Sequence, residues 1–194
     1  MLYNLASALV RIFMFIIFRV KVINKENFPN EGPVIVSINH TSYWDVPLVA
    51  AFMPRKLHYM AKRDLFKIPV LGSFMKWVGA FPVSRGKGDI GAIKTALDVL
   101  SQDKVVAIFP EGRRVLKGMS HSAKPGVALI AEKSGAPILP VAIGGKYRLF
   151  AKITITVGEP IYVDAPEQGH LSTEELKGIS SGVVNTILQM AGEC

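Results

Sequence analysis

At 194 residues the chain has the length of a single domain with its own hydrophobic core. Hydrophobic residues make up 49% and charged residues 20%, which excludes a disordered protein, and the one cysteine, Cys194, excludes an internal disulfide. Because the net charge is +8 and the mean hydropathy is positive, we expect an anionic membrane or phosphorylated substrates as partners, and no nucleic acid.

Residues 1–20 are mostly apolar, and a helix of that length is about 30 Å long, enough to cross a hydrocarbon core. Arg11 lies near the middle, however, where it costs a spanning helix about 2.5–3.5 kcal/mol or more. Asn4, Ser7 and Arg11 form a polar stripe at helical spacing, and residues 12–18 are apolar all round. These features predict a helix in the membrane interface, with a single span and a core helix of a soluble domain as alternatives.

After this segment the pattern alternates between short β-branched runs and amphipathic stretches. The predicted strands are residues 20–24, 33–38, 57–61, 79–83, 105–109, 138–143 and 153–157. The predicted helices are residues 44–53, 69–77, 89–101, 126–134 and 172–190. Asp89 is the expected N-cap of the third helix, Gly135 the C-cap of the fourth, and Ser172 with Glu175 a capping box for the fifth.

This alternation predicts an α/β fold with a mostly parallel or mixed sheet of about six or seven strands, covered by helices. Residues 21–194 then form one domain, preceded by the membrane-associated helix of residues 1–20. Ligands of such folds bind beyond the carboxyl ends of the strands, so polar residues that follow strands are the candidates for a site.

His40 and Asp45 follow the predicted strand 33–38 and lie five residues apart. On a regular helix that spacing turns the two side chains away from each other. They meet if His40 lies in the loop before the helix and Asp45 in its first turn, where the carboxylate accepts the imidazole proton. The alternative is that Ser42 caps the helix with Asp45 as its capping partner, leaving His40 uninvolved.

A second candidate follows the strand 105–109, where Pro110 and Gly112 force a turn. The adjacent guanidiniums of Arg113 and Arg114 are suited to holding a phosphate, and the alternative is a solvated basic turn. Glu111 either contacts an acceptor or forms an ion pair with these arginines that orders the turn.

Two further blocks complete the set of candidates. Arg85 comes just past the strand 79–83, and the run around Pro140 is either a buried strand or a wall of an apolar pocket. The four histidines of the chain have no ligand spacing, so we expect no metal.

These four blocks, in this order, resemble the glycerolipid acyltransferase family that includes 1-acyl-glycerol-3-phosphate acyltransferases. The family patterns are N-H-x-x-x-x-D, a segment ending in Arg, F-P-E-G followed by a small hydroxyl residue and Arg, and an apolar run with Pro. They are matched by Asn39, His40 and Asp45, by Arg85, by residues 109–112 with Arg114, and by Pro140. Residues 61–66 also resemble a family segment. Any single block is a weak signal of the family, whereas four blocks in the same order are specific.

Two positions depart from the family pattern. Arg113 stands where the family usually has Thr or Ser. Pro82, Val83 and Ser84 precede Arg85 where an Ile-Asp pair is common. Both positions flank the acceptor headgroup in the family, so they concern the acceptor rather than the class of reaction.

The resemblance implies a membrane enzyme of phospholipid biosynthesis. His40 is the implied general base and Asp45 the residue that fixes its tautomer. Arg85, Arg114 and Lys62 are implied to bind phosphate, with Glu111 and Gly112 shaping the loop or contacting the acceptor.

The resemblance also implies the substrates. An acyl group passes from acyl-CoA or acyl carrier protein to the sn-2 hydroxyl of 1-acyl-sn-glycerol-3-phosphate, without a cofactor, at the cytoplasmic face of the cell membrane. The alternatives are another lyso-lipid acceptor, hydrolysis of the thioester, or a non-catalytic protein that binds lipid or acyl-CoA.

Overall fold

The computed structural model describes residues 2–84, 89–116, 119–164, 166 and 169–192, with side chains described from Ser7 onward. The α-helices are α1 (Leu2–Ile17), α2 (Asp45–Phe52), α3 (Leu71–Trp77), α4 (Ile90–Leu100), α5 (Gly126–Ser134) and α6 (Thr173–Ala191). The strands are β1 (Arg19–Ile23), β2 (Val34–Ile38), β3 (Leu57–Lys62), β4 (Phe81–Val83), β5 (Val105–Ile108), β6 (Ile138–Gly145) and β7 (Lys152–Val157). Two short 3-10 helices cover Lys25–Asn27 and Arg63–Lys67.

The seven strands form one sheet in the order β1-β7-β6-β2-β5-β3-β4. Neighbouring strands are parallel except β6 and β7, which are antiparallel. The expected mixed, mostly parallel sheet of about seven strands is therefore confirmed. The central strands β2 and β5 are buried along their whole length, as their continuous β-branched runs predict.

One edge of the sheet collects the carboxyl ends of the five parallel strands β2 to β6. Because β7 runs the other way and β1 is parallel to it, β1 begins at this same edge. The carboxyl end of α1 therefore also lies there, and the Phe150 N–H donates to the Ile17 carbonyl at 2.7 Å. The fold thus brings the amino-terminal helix beside the loops that follow the strands.

The six helices cover the two faces of the sheet. On one face α1, α2 and α3 pack over a core that includes Met14, Leu48, Val49 and Leu57. On the other, α4, α5 and α6 pack over a second core around Ile35, Leu100, Ile130 and Ile187. The result is a three-layer α/β arrangement in which the sheet is covered on both sides.

The caps predicted for the helices α4, α5 and α6 are present in the structure. The Asp89 carboxylate accepts from the Ala92 N–H, and Gly135 ends α5 with a left-handed φ of 67°. Ser172 and Glu175 form the reciprocal capping box at the start of α6. The first helix, by contrast, ends at Ile17 rather than at residue 20, because the chain from Arg19 onward pairs with β7.

Ser7 and Arg11 of the polar stripe of α1 face the protein. The Arg11 Nε donates to the Ala51 carbonyl at 2.6 Å, and the Ser7 hydroxyl lies 3.4 Å from the Ala50 carbonyl. Both carbonyls belong to the last turn of α2, where a cation also complements the helix dipole. The opposite face of α1 is apolar and exposed, and we call it the outer face: Leu9, Ile12, Phe13, Phe15 and Ile16. No helix within the described residues combines the length and the apolar character needed to cross a bilayer.

Candidate active site

His40 and Asp45 meet at the carboxyl end of β2. His40 follows the strand by two residues, and Asp45 is the first residue of α2. The His40 Nδ1 lies 2.9 Å from the Asp45 Oδ2, and the Asp45 carboxylate is fully buried. The prediction that the two side chains pair is confirmed, and the alternative in which His40 is uninvolved is wrong.

The predicted N-cap is also wrong, because Trp44 rather than Ser42 occupies that position and α2 has no side-chain cap bond. The Asp45 carboxylate instead binds the backbone of the loop that precedes the helix. The Thr41 and Ser42 N–H groups both donate to the Asp45 Oδ2 at 2.8 Å. These bonds hold the loop between β2 and α2 in a tight turn, which is what carries His40 back onto Asp45. One carboxylate therefore binds both the loop backbone and the imidazole.

Tyr147 completes the set of donors around Asp45. Its hydroxyl donates to the Asp45 Oδ1 at 2.6 Å from the loop that follows β6. Burial, together with the adjacent carboxylate, raises the pKa of Tyr147 far above its usual range, so the phenol stays a donor. Tyr147 is not among the residues predicted from the sequence, because it lies 102 positions from Asp45 and belongs to none of the four blocks.

The imidazole of His40 is fixed from several sides. The Phe109 ring stacks on it with centroids 4.1 Å apart and planes 24° apart. The backbone N–H of His40 donates to the Glu111 Oε2 at 3.2 Å, and the His40 carbonyl accepts from the Val115 N–H at 2.8 Å. The loop after β5 thus holds both the ring and the backbone of His40, with 9% of the residue exposed.

Glu111 lies beneath this loop rather than at its surface. It is 2% exposed, and its Oε1 is paired with the His121 Nδ1 at 2.5 Å. Burial raises the pKa of Glu111, while the bonds from His121 and the His40 N–H act in the opposite direction. Within the described residues, Glu111 bonds to His121 and to the backbone of His40 rather than to the neighbouring arginines. These bonds order the loop, which is one of the roles expected of Glu111.

The turn around Gly112 needs glycine. Gly112 has a φ of +66°, and its N–H donates to the Phe109 carbonyl at 2.9 Å. A Cβ at this position would lie 3.0 Å from the Lys124 side chain. The left-handed backbone and the close approach of Lys124 both explain why the loop carries glycine here.

The candidate phosphate-binding cations have different surroundings. The Arg114 guanidinium lies over the Tyr43 ring, 3.6 Å from its centroid, and one of its nitrogens donates to the Tyr43 hydroxyl at 2.8 Å. Lys62 ends β3 and forms an exposed ion pair with Asp64 at 2.7 Å. Arg85 lies outside the described residues, just after β4. Arg114 is thus oriented by the first block, through Tyr43.

A cavity of about 400 Å³ opens beside Phe109 and Gly112. Its walls are mostly apolar and come from β3, α4, β5 and α5: Met60, Ile93, Ile108, Val127, Leu129 and Ile130. Lys124 and Asp89 lie at its polar side. An apolar space is therefore separated from the imidazole by the ring of Phe109.

The fourth block is a buried strand. β6 is buried from Ile138 to Ile143, and Pro140 lies in register with Ser37 of β2. Asn39 extends this pairing with its side chain, which accepts from the Ile143 N–H at 2.8 Å and donates to the Ile143 carbonyl at 2.9 Å. Asn39 therefore fixes β6 against the loop that carries His40.

Enzymes that use histidine as a general base often hold it against a buried carboxylate, and ligands of α/β sheets bind at the carboxyl edge where His40 and Asp45 lie. The chain belongs to the acyltransferase family, whose sequence model matches residues 19–144. That span contains His40, Asp45, Glu111 and Arg114, so the family expected from the four blocks is confirmed.

Known relatives extend this likeness to most of the chain. A 1-acyl-sn-glycerol-3-phosphate acyltransferase from Bacillus subtilis is 32% identical over 180 residues, covering 90% of this chain and 88% of the relative. One from Streptococcus pneumoniae is 32% identical over 147 residues, covering 71% of this chain and 54% of the relative. The crystal structure of the 1-acyl-sn-glycerophosphate acyltransferase PlsC from Thermotoga maritima superposes with a TM-score of 0.74 at 27% identity, over 98% of this chain and 77% of that one.

Proposed function

We propose that this chain transfers a fatty acyl group from acyl-CoA or acyl carrier protein to the sn-2 hydroxyl of 1-acyl-sn-glycerol-3-phosphate, which yields phosphatidic acid for phospholipid biosynthesis. The observation that carries the proposal is the contact of 2.9 Å between the His40 Nδ1 and the Asp45 Oδ2. The relatives from Bacillus and Streptococcus are named for transfer to this acceptor, which supports the choice.

The pair assigns the base to one nitrogen. Asp45 receives donors on both oxygens and only accepts, so the His40 Nδ1 carries a proton and Nε2 has the free lone pair. Nε2 removes the proton from the acceptor hydroxyl as the hydroxyl oxygen attacks the thioester carbonyl. Asp45 stabilises the imidazolium that forms, and the stacked Phe109 ring holds the orientation of the imidazole.

The leaving group needs little help. A thiol has a pKa of about 8.5, so the thiolate departs and takes up a proton without a strong general acid. The C–S bond breaks, the new ester C–O bond forms, and the imidazolium gives up its proton to the thiolate or to solvent. Direct transfer therefore accounts for the reaction without a serine or cysteine nucleophile.

Arg114, Arg85 and Lys62 are proposed to bind the phosphate of the acceptor. Arg114 and Lys62 come from the loops after β5 and at the end of β3, and both strands end at the edge that carries His40. A guanidinium binds phosphate through two parallel hydrogen bonds, and the Tyr43 contact holds that of Arg114 in place. The apolar cavity beside Phe109 offers space for an acyl chain.

The outer face of α1 supports association with the membrane. Its five large apolar side chains are exposed, whereas Ser7 and Arg11 bond to α2. A helix of 16 residues is about 24 Å long and lies along the interface when only one of its sides is apolar and free. We place it at the cytoplasmic face of the cell membrane.

The test is an acceptor panel with the purified protein and a matched variant. Two labelled donors, palmitoyl-CoA and palmitoyl-acyl carrier protein, are each offered with 1-acyl-glycerol-3-phosphate, other lyso-lipids or water. The products are identified by mass. Phosphatidic acid is the expected product. His40→Ala should lower kcat by about 10²- to 10⁴-fold, the usual contribution of a general base.

His170→Ala serves as the control, because His170 is exposed on a distant loop and should leave kcat unchanged. Transfer to another lyso-lipid would contradict the proposed acceptor, and release of free fatty acid would indicate a hydrolase. Full activity of the His40 variant would remove the base from the mechanism.

A further inference from the structure

A second exposed apolar surface lies on the segment between β3 and β4, and we call it the α3 patch. Its members are Ile68, Val70, Leu71, Phe74 and Trp77. Apolar side chains scattered singly over a surface are ordinary, but five within ten residues form a contiguous patch of the kind that marks an interaction site.

The backbone presents this patch in a strained turn. Val70 has a φ of 65° and a ψ of −54°, and the Leu71 N–H donates to the Pro69 carbonyl at 2.7 Å. This is a γ-turn of the rare kind, unusual for a β-branched residue. It leaves Val70 83% exposed at its apex. A Cβ at Gly72 would lie 2.3 Å from the Phe66 carbonyl oxygen, so α3 packs directly on the preceding 3-10 helix and holds the turn.

The position of the patch relates it to the active site. The 3-10 helix Arg63–Lys67 starts at the end of β3, at the sheet edge where His40 lies. Phe66, Met75 and Val78 pack into the same core as Met14 of α1, so α1 and α3 cover the same face of the sheet. The outer face of α1 and the α3 patch thus lie on the same side of the molecule.

The charges around the patch favour an anionic surface. Residues 62–77 contain four basic side chains and one acidic side chain. Lys67 and Lys76 are exposed beside the apolar members, and Asp64 is paired with Lys62 and Lys67. Surfaces that combine exposed apolar side chains with lysines bind at the headgroup boundary of an anionic bilayer.

We infer that the α3 patch is a second membrane-contact site, which binds an anionic phospholipid bilayer together with the outer face of α1. This rests on the proposed function to the extent that a lipid acceptor must enter the site from a bilayer. A bilayer covers both surfaces at once, and the sheet edge with His40 then faces the source of the acceptor. Two contacts fix the orientation of the molecule, whereas one helix leaves it free to rotate.

Trp77 is a built-in reporter of the contact. The chain has two tryptophans, so Trp44→Phe leaves Trp77 as the one tryptophan, whose emission is excited selectively at long wavelength. The full-length variant is mixed with vesicles of phosphatidylcholine and phosphatidylglycerol whose acyl chains are brominated. We expect strong quenching of Trp77 fluorescence and weaker binding as phosphatidylglycerol is removed or salt is added.

The matched test removes two members of the patch. Val70→Ser with Phe74→Ser should weaken partitioning to these vesicles at least about tenfold, because two inserted apolar side chains are lost. Ile90→Ser is the control: Ile90 is 79% exposed but lies on α4, on the other face of the sheet. Circular dichroism and thermal melting check that all variants are folded.

Three results would overturn the inference. One is unquenched Trp77 in a protein that still binds vesicles, since the patch would then lie outside the membrane. Another is a change in oligomeric state with unchanged partitioning, which would make the patch an interface between copies of the chain. The third is unchanged partitioning with weaker use of acyl carrier protein, which would assign the patch to that donor. The quenching, partitioning and oligomeric-state measurements need no acyl transfer, so the inference and the proposed reaction fail separately.

Discussion

At the scale of single residues, Tyr147 is the partner of Asp45 that has no counterpart in the sequence motifs. Tyr147→Phe removes the donor to Asp45 Oδ1 and leaves the ring, which contacts Phe18 at 5.4 Å between centroids. A hydrogen bond to a charged group contributes about 1.5–3 kcal/mol, so kcat should fall by up to about 10- to 100-fold, with KM little changed.

The pH profile distinguishes this positioning role from a general loss of structure. Without the phenol, more of the negative charge of Asp45 is available to the imidazolium, so the acidic limb of the kcat profile should move to higher pH. Tyr162→Phe is the control, because Tyr162 is exposed and away from the pair. An unmoved limb with full kcat would show that the bond to Asp45 has no part in catalysis.

The residues of the site differ in how far the sequence could predict them. His40 and Asp45 were predictable because both lie at one junction between a strand and a helix, where a five-residue spacing limits the geometry. Tyr147 was not, because its contact depends on β6 and β2 being neighbours in the sheet. Glu111 was noticed, but its burial and its bond to His121 depend on how the loop folds back on itself.

At the scale of elements, the side chain of Asn39 continues the pairing of β2 with β6 beyond the last residue of β2. Asn39→Ala leaves the buried N–H and carbonyl of Ile143 without this partner. Each unsatisfied buried group costs about 1–3 kcal/mol, so we expect the two together to lower the free energy of unfolding by about 2–6 kcal/mol.

Chemical denaturation measures this loss through the shift of the transition midpoint at constant slope. Asn185→Ala is the matched control, because Asn185 is exposed on α6 and the same change should leave the midpoint almost where it was. Equal midpoints for the two variants would contradict the role assigned to Asn39.

The elements themselves were predictable to within a few residues where two local signals agree. α4 and α6 combine amphipathic spacing with a capping side chain, and both begin beside that cap. The end of α1 was placed three residues too late, because apolar residues continue through Phe18 and a hydropathy pattern cannot distinguish an apolar helix end from a buried connection. What ends the helix is the pairing of Arg19 with Lys152, a contact across the chain.

At the scale of the whole molecule, His58 makes stability depend on pH. Burial lowers the pKa of His58 below 6.5, and the nearby Lys56 and Lys104 act in the same direction, while its bond to the Val105 carbonyl opposes them. Because the unfolded chain takes up this proton first, the contribution of His58 is present above pH 6.5 and is lost as the pH falls through the lowered value.

His58→Asn keeps a donor for the Val105 carbonyl but does not titrate. The difference in unfolding free energy between the two proteins should therefore shrink from pH 7.5 to 5, as measured by urea denaturation at each pH. A constant difference across this range would show that His58 titrates alike in the folded and unfolded chains.

The class of the fold was predictable because long β-branched runs alternate with amphipathic stretches. The order of the strands was not, since the alternation by itself does not reveal that β7 turns back against β6. That reversal is what returns β1 and the end of α1 to the sheet edge that carries His40, so the relation of the helix to the candidate site comes from topology rather than from motif.

Phe18, the one residue between α1 and β1, limits how the chain can be shortened. It is 4% exposed, and its ring contacts Trp44 and Tyr147, whose hydroxyl bonds to Asp45. A protein shortened through residue 18 would lose this packing together with the outer face of α1, and the His40–Asp45 pair would be held less firmly. Replacing Phe15 and Ile16 with polar residues keeps Phe18 in place, so it would test the proposed membrane contact without disturbing that pair.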